Sequence, residues 1–125
     1  MATWRNIVVL RFIFCPHHLR LPRMPNYLIE QLNDLEEVPC PCGGARRGFR
    51  GQASSPATTH LVTIKAEAKT HYHKSHTEIY IILEGQGWVE LDGDRIPVRP
   101  LSAVMILPGC RHRACGPLTL LNICL

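Results

Sequence analysis

Aromatic side chains are scarce in this chain of 125 residues, at 6% of the sequence, whereas it contains 10 prolines and 9 glycines. This mixture disfavours a bundle of long helices and is typical of short strands joined by tight turns. No apolar run approaches the roughly 20 residues that a helix needs to cross a bilayer. We therefore expect no transmembrane helix and no membrane partner. The length and the 46% hydrophobic content fit one globular domain.

Acidic residues are absent from the first 25 positions, which contain four arginines. The net charge of +4 comes from this segment, because the other 10 basic residues balance the 10 acidic ones. A nucleic-acid binder spreads its basic groups over a folded face, so we expect no nucleic-acid partner. Arg11 interrupts the apolar stretch, no signal cleavage site follows, and a mitochondrial presequence usually has more serine. We interpret residues 1–25 as a disordered extension of a cytoplasmic protein.

The six cysteines are an even number, which could indicate a disulfide framework. Without a secretory signal, free thiols in a reducing compartment are the expected state. Cys40-Pro41-Cys42 resembles half of a metal knuckle, but no second close pair completes it. A zinc site built from cysteines distant in sequence remains an alternative.

Residues 26–57 are interpreted as a lead-in to the main domain. An apolar stripe at helical spacing predicts a short helix over 27–37, which ends at the prolines that follow. Residues 43–58 are rich in Gly, Arg and Ser and predict a loop, with one edge strand near Phe49.

From residue 58 onward the sequence is typical of a β-protein. Alternating or β-branched stretches predict strands over 60–66, 77–83, 87–91, 95–98, 103–107 and 118–124. Asp92-Gly93 is the strongest two-residue signal for a hairpin turn. Short strands at this spacing predict an all-β sandwich or barrel over residues 58–125.

Four of the seven histidines lie between residues 60 and 76. His71 and His73 stand two positions apart, so on a strand their imidazoles would share one face. Glu78 opens the next predicted strand, and His112 follows a predicted Pro-Gly turn. Two imidazoles and one carboxylate can hold one side of a metal ion and leave other positions open. His76 is expected to be solvated in a loop, and His60 to be structural.

Two segments resemble the paired motifs of the cupins, and they read His71-x-His73-x4-Glu78-x6-Gly85 and Pro108-Gly109-x2-His112. The resemblance implies a small double-stranded β-helix, or jelly-roll, barrel. It also implies one divalent metal ion held by His71, His73, Glu78 and His112. Ligand type does not choose among Fe, Mn, Ni, Zn and Cu.

The sequence departs from the cupin pattern where the family has glycine, proline or asparagine, at Lys65, Leu101, Leu107 and Gly116. None of these positions is a ligand. The chain stops at Leu125, soon after a late strand, so we expect an open edge and a homodimer that covers it.

Counting by twos from Glu78 and His112 along their strands predicts that Tyr80, Ile82 and Ala114 line a small-molecule site. The resemblance implies a metal-dependent enzyme, either a dioxygenase or a sugar isomerase of the mannose-6-phosphate isomerase type. The alternatives are a non-catalytic module that binds a sugar or small acid, and a metal-free structural cupin, against which the intact ligand set argues. Few other acid or base groups are evident, which favours O₂ chemistry or simple binding. No catalytic residue is assigned.

Overall fold

The computed structural model describes residues 26–51 and 55–125. The extension predicted for residues 1–25 lies outside this part of the chain. After a single 3₁₀ turn at Leu32–Asp34, the described residues form nine strands: β1 Glu37–Cys40, β2 Gly43–Gly48, β3 Thr58–Ile64, β4 Glu78–Gly85, β5 Gly87–Leu91, β6 Asp94–Val98, β7 Ala103–Ile106, β8 His112–Cys115 and β9 Leu118–Cys124.

The strands form two antiparallel sheets. One has six strands in the order β1-β2-β3-β9-β4-β7, and the other has three in the order β6-β5-β8. The prediction of an all-β jelly-roll barrel is confirmed. In the described residues, no helix is long and apolar enough to cross a membrane.

The core lies between the two sheets because their strands alternate in burial. Every second side chain is buried over residues 78–82 of β4 and 118–122 of β9, and Ile82, Leu118 and Leu120 are among the largest fully buried ones. Val89 of β5 meets them from the smaller sheet. Burying a side chain of this kind stabilises the fold by about 1.5–3 kcal/mol, so this layer anchors the strands that carry the site.

The predicted hairpin turn is confirmed. Asp92 and Gly93 both have positive φ, at 50° and 95°, between β5 and β6. Two successive positive φ values match the turn type whose twist suits adjacent strands. Gly85, the last glycine of the first motif, has a φ of 89°, and a Cβ there would collide with the carbonyl oxygen of Pro117.

The lead-in differs from its prediction. The helix expected over 27–37 is reduced to the 3₁₀ turn, and Glu37–Cys40 forms β1. β1 is an edge strand of the larger sheet. An edge strand tolerates Pro39, which has no amide hydrogen to donate to a neighbouring strand. The loop expected over 43–58 contains β2, which pairs with β1 and β3. The lead-in therefore contributes two strands to the larger sheet.

The expectation of free thiols is wrong at two positions, because Cys40 and Cys42 are joined by a disulfide. Cys110, Cys115 and Cys124 are free. The backbone of the pair is tied to the segment before the first motif, since the amide of Lys69 donates to the carbonyl of Pro41 at 2.9 Å.

The expectation of an open edge at the last strand is also wrong. β9 lies between β3 and β4, in the middle of the larger sheet, and the edges of that sheet are β1 and β7. An open edge at β9 therefore no longer supports a homodimer, which stays a prediction.

Candidate metal centre and its cavity

The ligand atoms of His71, His73, Glu78 and His112 lie within 4.8 Å of one another. Glu78 and His112 are the first residues of β4 and β8, as the sequence predicts, and both are buried. His71 and His73 do not lie on a continuous strand, because His71 forms only an isolated bridge with His112. Donor atoms about 2.1 Å from one ion lie at most about 4.2 Å apart. The cluster would contract by roughly half an ångström to close on an ion.

Backbone hydrogen bonds hold the two motifs together. The amide of His71 donates to the carbonyl of His112 at 3.0 Å, and the amide of His112 donates back at 2.8 Å. The amide of Gly109, in the turn before β8, donates to the carbonyl of His73 at 2.8 Å. These bonds explain how a Pro-Gly turn far along the chain fixes the position of a histidine in the first motif.

Two of the imidazole rings are oriented by backbone carbonyls. His71 Nδ1 lies 2.9 Å from the carbonyl oxygen of Lys69, and His112 Nδ1 lies 2.9 Å from that of Cys110. A carbonyl oxygen only accepts hydrogen bonds, so Nδ1 carries the proton in both rings. Each carbonyl keeps Nε2 of its ring aimed at the cluster. A metal ion would bind the lone pair of that nitrogen, and at His112 it would replace the proton that Nε2 donates to Glu78.

Glu78 is ionised at the centre of the cluster. Its Oε1 accepts a 2.7 Å hydrogen bond from Asn122 Nδ2, and its Oε2 accepts bonds from His112 Nε2 at 3.0 Å and the Tyr80 hydroxyl at 3.4 Å. Burial alone would raise the pKa of Glu78, but the hydrogen bonds from His112 and Asn122 outweigh it and lower that pKa to about 2. Burial alone would lower the pKa of His112, but the bond to Glu78 raises it.

His73 tests whether these residues fit a metal ion. Its Nε2 is buried and has no hydrogen-bond partner in the described residues, although Glu78 Oε2 is 3.4 Å away. Burial lowers the pKa of this ring, which favours a neutral imidazole with a free lone pair. A buried polar atom without a partner is costly. A divalent ion would satisfy it, so the donor set fits a metal.

A cavity of about 520 Å³ lies beside the cluster. His71, His73 and Glu78 line it, whereas His112 is fully buried behind them. His76 also lines this cavity, but it does not belong to the ligand cluster.

One wall of the cavity is a row of polar side chains that crosses four strands, and we call it the polar row: Arg47, His60, Asn122 and Tyr80. Each is paired in register with the next, from β2 through β3 and β9 to β4. The parallel row one step deeper is apolar and consists of Ala45, Val62, Leu120 and Ile82. The interior thus changes from apolar to polar toward the ligand cluster.

The three side chains predicted to line a small-molecule site lie in two places. Tyr80 belongs to the polar row and lines the cavity. Ile82 and Ala114 are fully buried in the core below it and do not line it. Counting by twos along a strand correctly predicts that Ile82 and Ala114 point inward. It does not predict that they lie in the core, one layer below the cavity.

Sequence reasoning missed three members of the polar row. His60 was expected to be structural, yet it shares the inward face of β3 with Val62, as period-two counting would have indicated. Asn122 occupies the equivalent inward position on β9. Arg47 lies in the segment expected to be a loop, so its inward direction had no signal.

Comparisons with known proteins agree with this architecture. A crystal structure of a protein from Planctomyces limnophilus is 38% identical, with 82% of this chain and 89% of that chain covered and a TM-score of 0.73. A cupin protein from Bacteroides fragilis is 23% identical, with 82% and 86% covered and a TM-score of 0.66. A nucleoside dehydratase from Streptomyces is 15% identical, with 78% and 81% covered and a TM-score of 0.66. The last two likenesses concern the fold alone.

No curated protein matches this chain. The family model described as the cupin domain matches residues 60–124, which is more than half of the chain and includes both motifs. The antiparallel double sheet, the placement of both motifs at one cluster and this match lead to the same conclusion: the chain belongs to the cupin family.

Proposed function

We propose that this protein is a divalent-metal cupin that binds a small molecule in its cavity and, with Fe(II), oxidises it with O₂ as a dioxygenase. One observation carries the proposal. His71, His73 and Glu78 belong to the ligand cluster and also line the cavity, while His112 closes the cluster from behind. An ion held there would have protein donors on one side and the cavity on the other.

The donor set of three imidazoles and one carboxylate suits Fe(II), Mn(II), Ni(II) and Zn(II). A bound divalent ion would supply Lewis acidity and, as Fe(II), electrons to O₂. The low pKa of Glu78 keeps its carboxylate charged at neutral pH without help from the ion. The site is therefore ready to bind a cation before substrate arrives.

Tyr80 and the apolar row beneath it surround the ligand cluster on one side. The hydroxyl of Tyr80 stays protonated, because burial raises its pKa far above the neutral range. It donates to Glu78 and so helps to orient the carboxylate. The apolar row lies beneath Tyr80, and its members Ala45 and Val62 form an apolar part of the cavity wall.

A metal-dependent sugar isomerase is the second candidate. The observation that favours it is a pair of imidazoles, His60 and His76, that line the cavity outside the ligand cluster. Burial and the charge of Arg47 lower the pKa of His60, so its ring is neutral at pH 7 and able to accept a proton. Proton transfer between sugar carbons requires a neutral base that faces the same cavity as the metal.

The experiment that separates the two candidates uses nitric oxide as a stand-in for O₂. Protein purified without oxygen and reconstituted with Fe(II) is titrated with nitric oxide and followed by electron paramagnetic resonance. We expect a high-spin iron–nitrosyl signal equivalent to about one iron per chain, which the His73→Ala variant should lack. Failure of the iron-loaded wild type to bind nitric oxide would overturn the dioxygenase and leave the isomerase or a binding module.

A further inference from the structure

We propose that the polar row is a binding site for the carboxylate group of a small organic acid, with Arg47 as its cationic partner. The inference deepens the proposed function, on which it depends only for placing the rest of the acid beside the metal centre. The observations that carry it concern unpaired atoms, neighbouring side chains and charge.

Arg47 has a buried atom that none of the described residues satisfies. Its Nε is buried and has no hydrogen-bond partner in residues 26–51 and 55–125. Leaving a polar atom of a cation without a partner inside a protein costs several kcal/mol. The planar guanidinium matches a carboxylate with two parallel N–H···O bonds. An anion in the cavity would therefore compensate this atom.

The neighbouring residue shows that β2 is able to satisfy an arginine. Arg46 points to the opposite face of the strand, donates to the carbonyl of Asn33 at 3.0 Å and to that of Leu35, and lies 4.0 Å from Glu37. Two adjacent arginines thus differ in one respect. The outward one donates to two carbonyls of the protein, and the inward one faces the cavity.

The rest of the polar row supplies further groups for a polar ligand. His60 is paired in register with Arg47, so its ring lies beside the guanidinium on the same face. Asn122 uses its Nδ2 to hold Glu78, but its Oδ1 is buried without a partner in the described part of the chain. The row therefore combines donors for a carboxylate with an acceptor for a hydroxyl or amino group of the same ligand.

The charges around the cavity favour a single negative charge. Apart from histidines, the only ionisable side chains of the described residues with a formal charge that line it are Arg47 and Glu78. They lie on β2 and β4, three strand spacings or about 14 Å apart along the sheet. At this separation Glu78 does not pair with Arg47, so Arg47 attracts an anion to its own end of the cavity even without a metal. One guanidinium balances one carboxylate, whereas a phosphate dianion needs a second cation.

The test is a binding titration of the metal-free protein with benzoate and hexanoate and with their neutral counterparts, benzamide and hexanamide, followed by NMR. We expect each acid to bind at least tenfold more tightly than its amide. Arg47→Gln should remove this difference, and Arg47→Lys should retain part of it. Arg46→Gln removes the same charge from the outward face of the same strand and should leave binding unchanged.

Equal binding of acid and amide to the wild type would overturn the proposal, and so would an unaltered preference in Arg47→Gln. Inorganic phosphate that binds more tightly than both acids would overturn the assignment to a carboxylate. The wild-type comparison of acid with amide does not depend on whether any variant folds. Because the titration uses metal-free protein, its outcome does not depend on whether the metal proposal holds.

Discussion

His71 and His112 come from the two separate motifs, yet their backbones exchange two hydrogen bonds and their ring centroids lie 4.3 Å apart. This bridge joins the segment before β4 to the start of β8. Both rings are also held by backbone carbonyls at Nδ1. The backbone therefore places both of these rings at the ligand cluster.

The first prediction concerns His73. Since its Nε2 has no protein partner in the described residues, the His73→Ala variant of the metal-free protein should unfold at nearly the wild-type urea concentration. Its affinity for Zn(II), measured by competition with a chelator, should fall at least about tenfold because one of four donors is lost. His76→Ala is the control, since that exposed ring lies outside the cluster. An equal loss of affinity in both variants would mean that the ligands are misassigned.

The second prediction concerns the pH dependence of stability at His60. Burial, together with the charges of Arg47 and Arg50, lowers the pKa of this ring below its usual 6.5 against the opposing charge of Glu78. The unfolded chain therefore takes up the proton first as the pH falls. The contribution of neutral His60 to stability is complete above pH 6.5 and is lost as the pH falls through the lower folded-state value.

Urea unfolding of the chelator-treated wild type and of His60→Gln between pH 7.5 and 5.0 measures this effect. The other histidines contribute equally to both proteins, so the difference between the two free energies of unfolding isolates His60. We expect the wild type to lose stability relative to the variant as the pH falls. A difference that stays constant, or a wild type that gains stability relative to the variant toward low pH, would contradict the buried neutral ring.

The third prediction concerns Leu101, which stands where the cupin pattern has glycine. Its φ is 70°, and its side chain is 84% exposed. The left-handed conformation costs a non-glycine residue about 1–2 kcal/mol, and glycine loses about 0.5–1 kcal/mol of extra chain entropy. We therefore expect Leu101→Gly to stabilise the protein by about 0.5–1 kcal/mol in thermal or urea unfolding. Leu107→Gly, at an exposed position without positive φ, should destabilise it instead.

The fourth prediction is the homodimer, which we propose forms through the outward face of the larger sheet. Apolar side chains stand next to one another there across three strands: Ile79 pairs with Ile123 and Met105, and Ile81 pairs with Leu121. All are at least partly exposed. Sedimentation should give a dimer at micromolar concentration and a monomer for Ile79→Glu. The control is Ile96→Glu, at an exposed position on the smaller sheet. A wild-type monomer would contradict the proposal.

Two members of the ligand cluster could be predicted from local signals because they start strands, and the resemblance to the cupin motifs implied the full set of four. Glu78 and His112 open β4 and β8, and strand starts are marked by β-branched runs and by a Pro-Gly turn. The local signal at 71–73 was misleading only in detail, because a single bridge replaces the expected strand. The four ligands still lie together, because backbone hydrogen bonds pair the first motif with the second.

The polar row could not be predicted in the same way. β2 reads Gly-Gly-Ala-Arg-Arg-Gly, which has low β-propensity, and it is a strand because β1 and β3 pair with it on both sides. Pairing of this kind is tertiary and overrides local preference. Unless β2 is recognised as a strand, the sequence does not show which face Arg47 occupies. Without Arg47 beside it, an inward-facing His60 gives no reason to predict a binding site.

The metal content of the purified wild type tests the account most directly. Protein expressed with Fe, Mn, Ni and Zn in the medium is analysed by inductively coupled plasma mass spectrometry after gel filtration. The account predicts about one divalent ion per chain, and a value below about one tenth for the double variant His73→Ala/Glu78→Ala. Wild-type protein that holds no metal, even after reconstitution with each ion in turn, would contradict it.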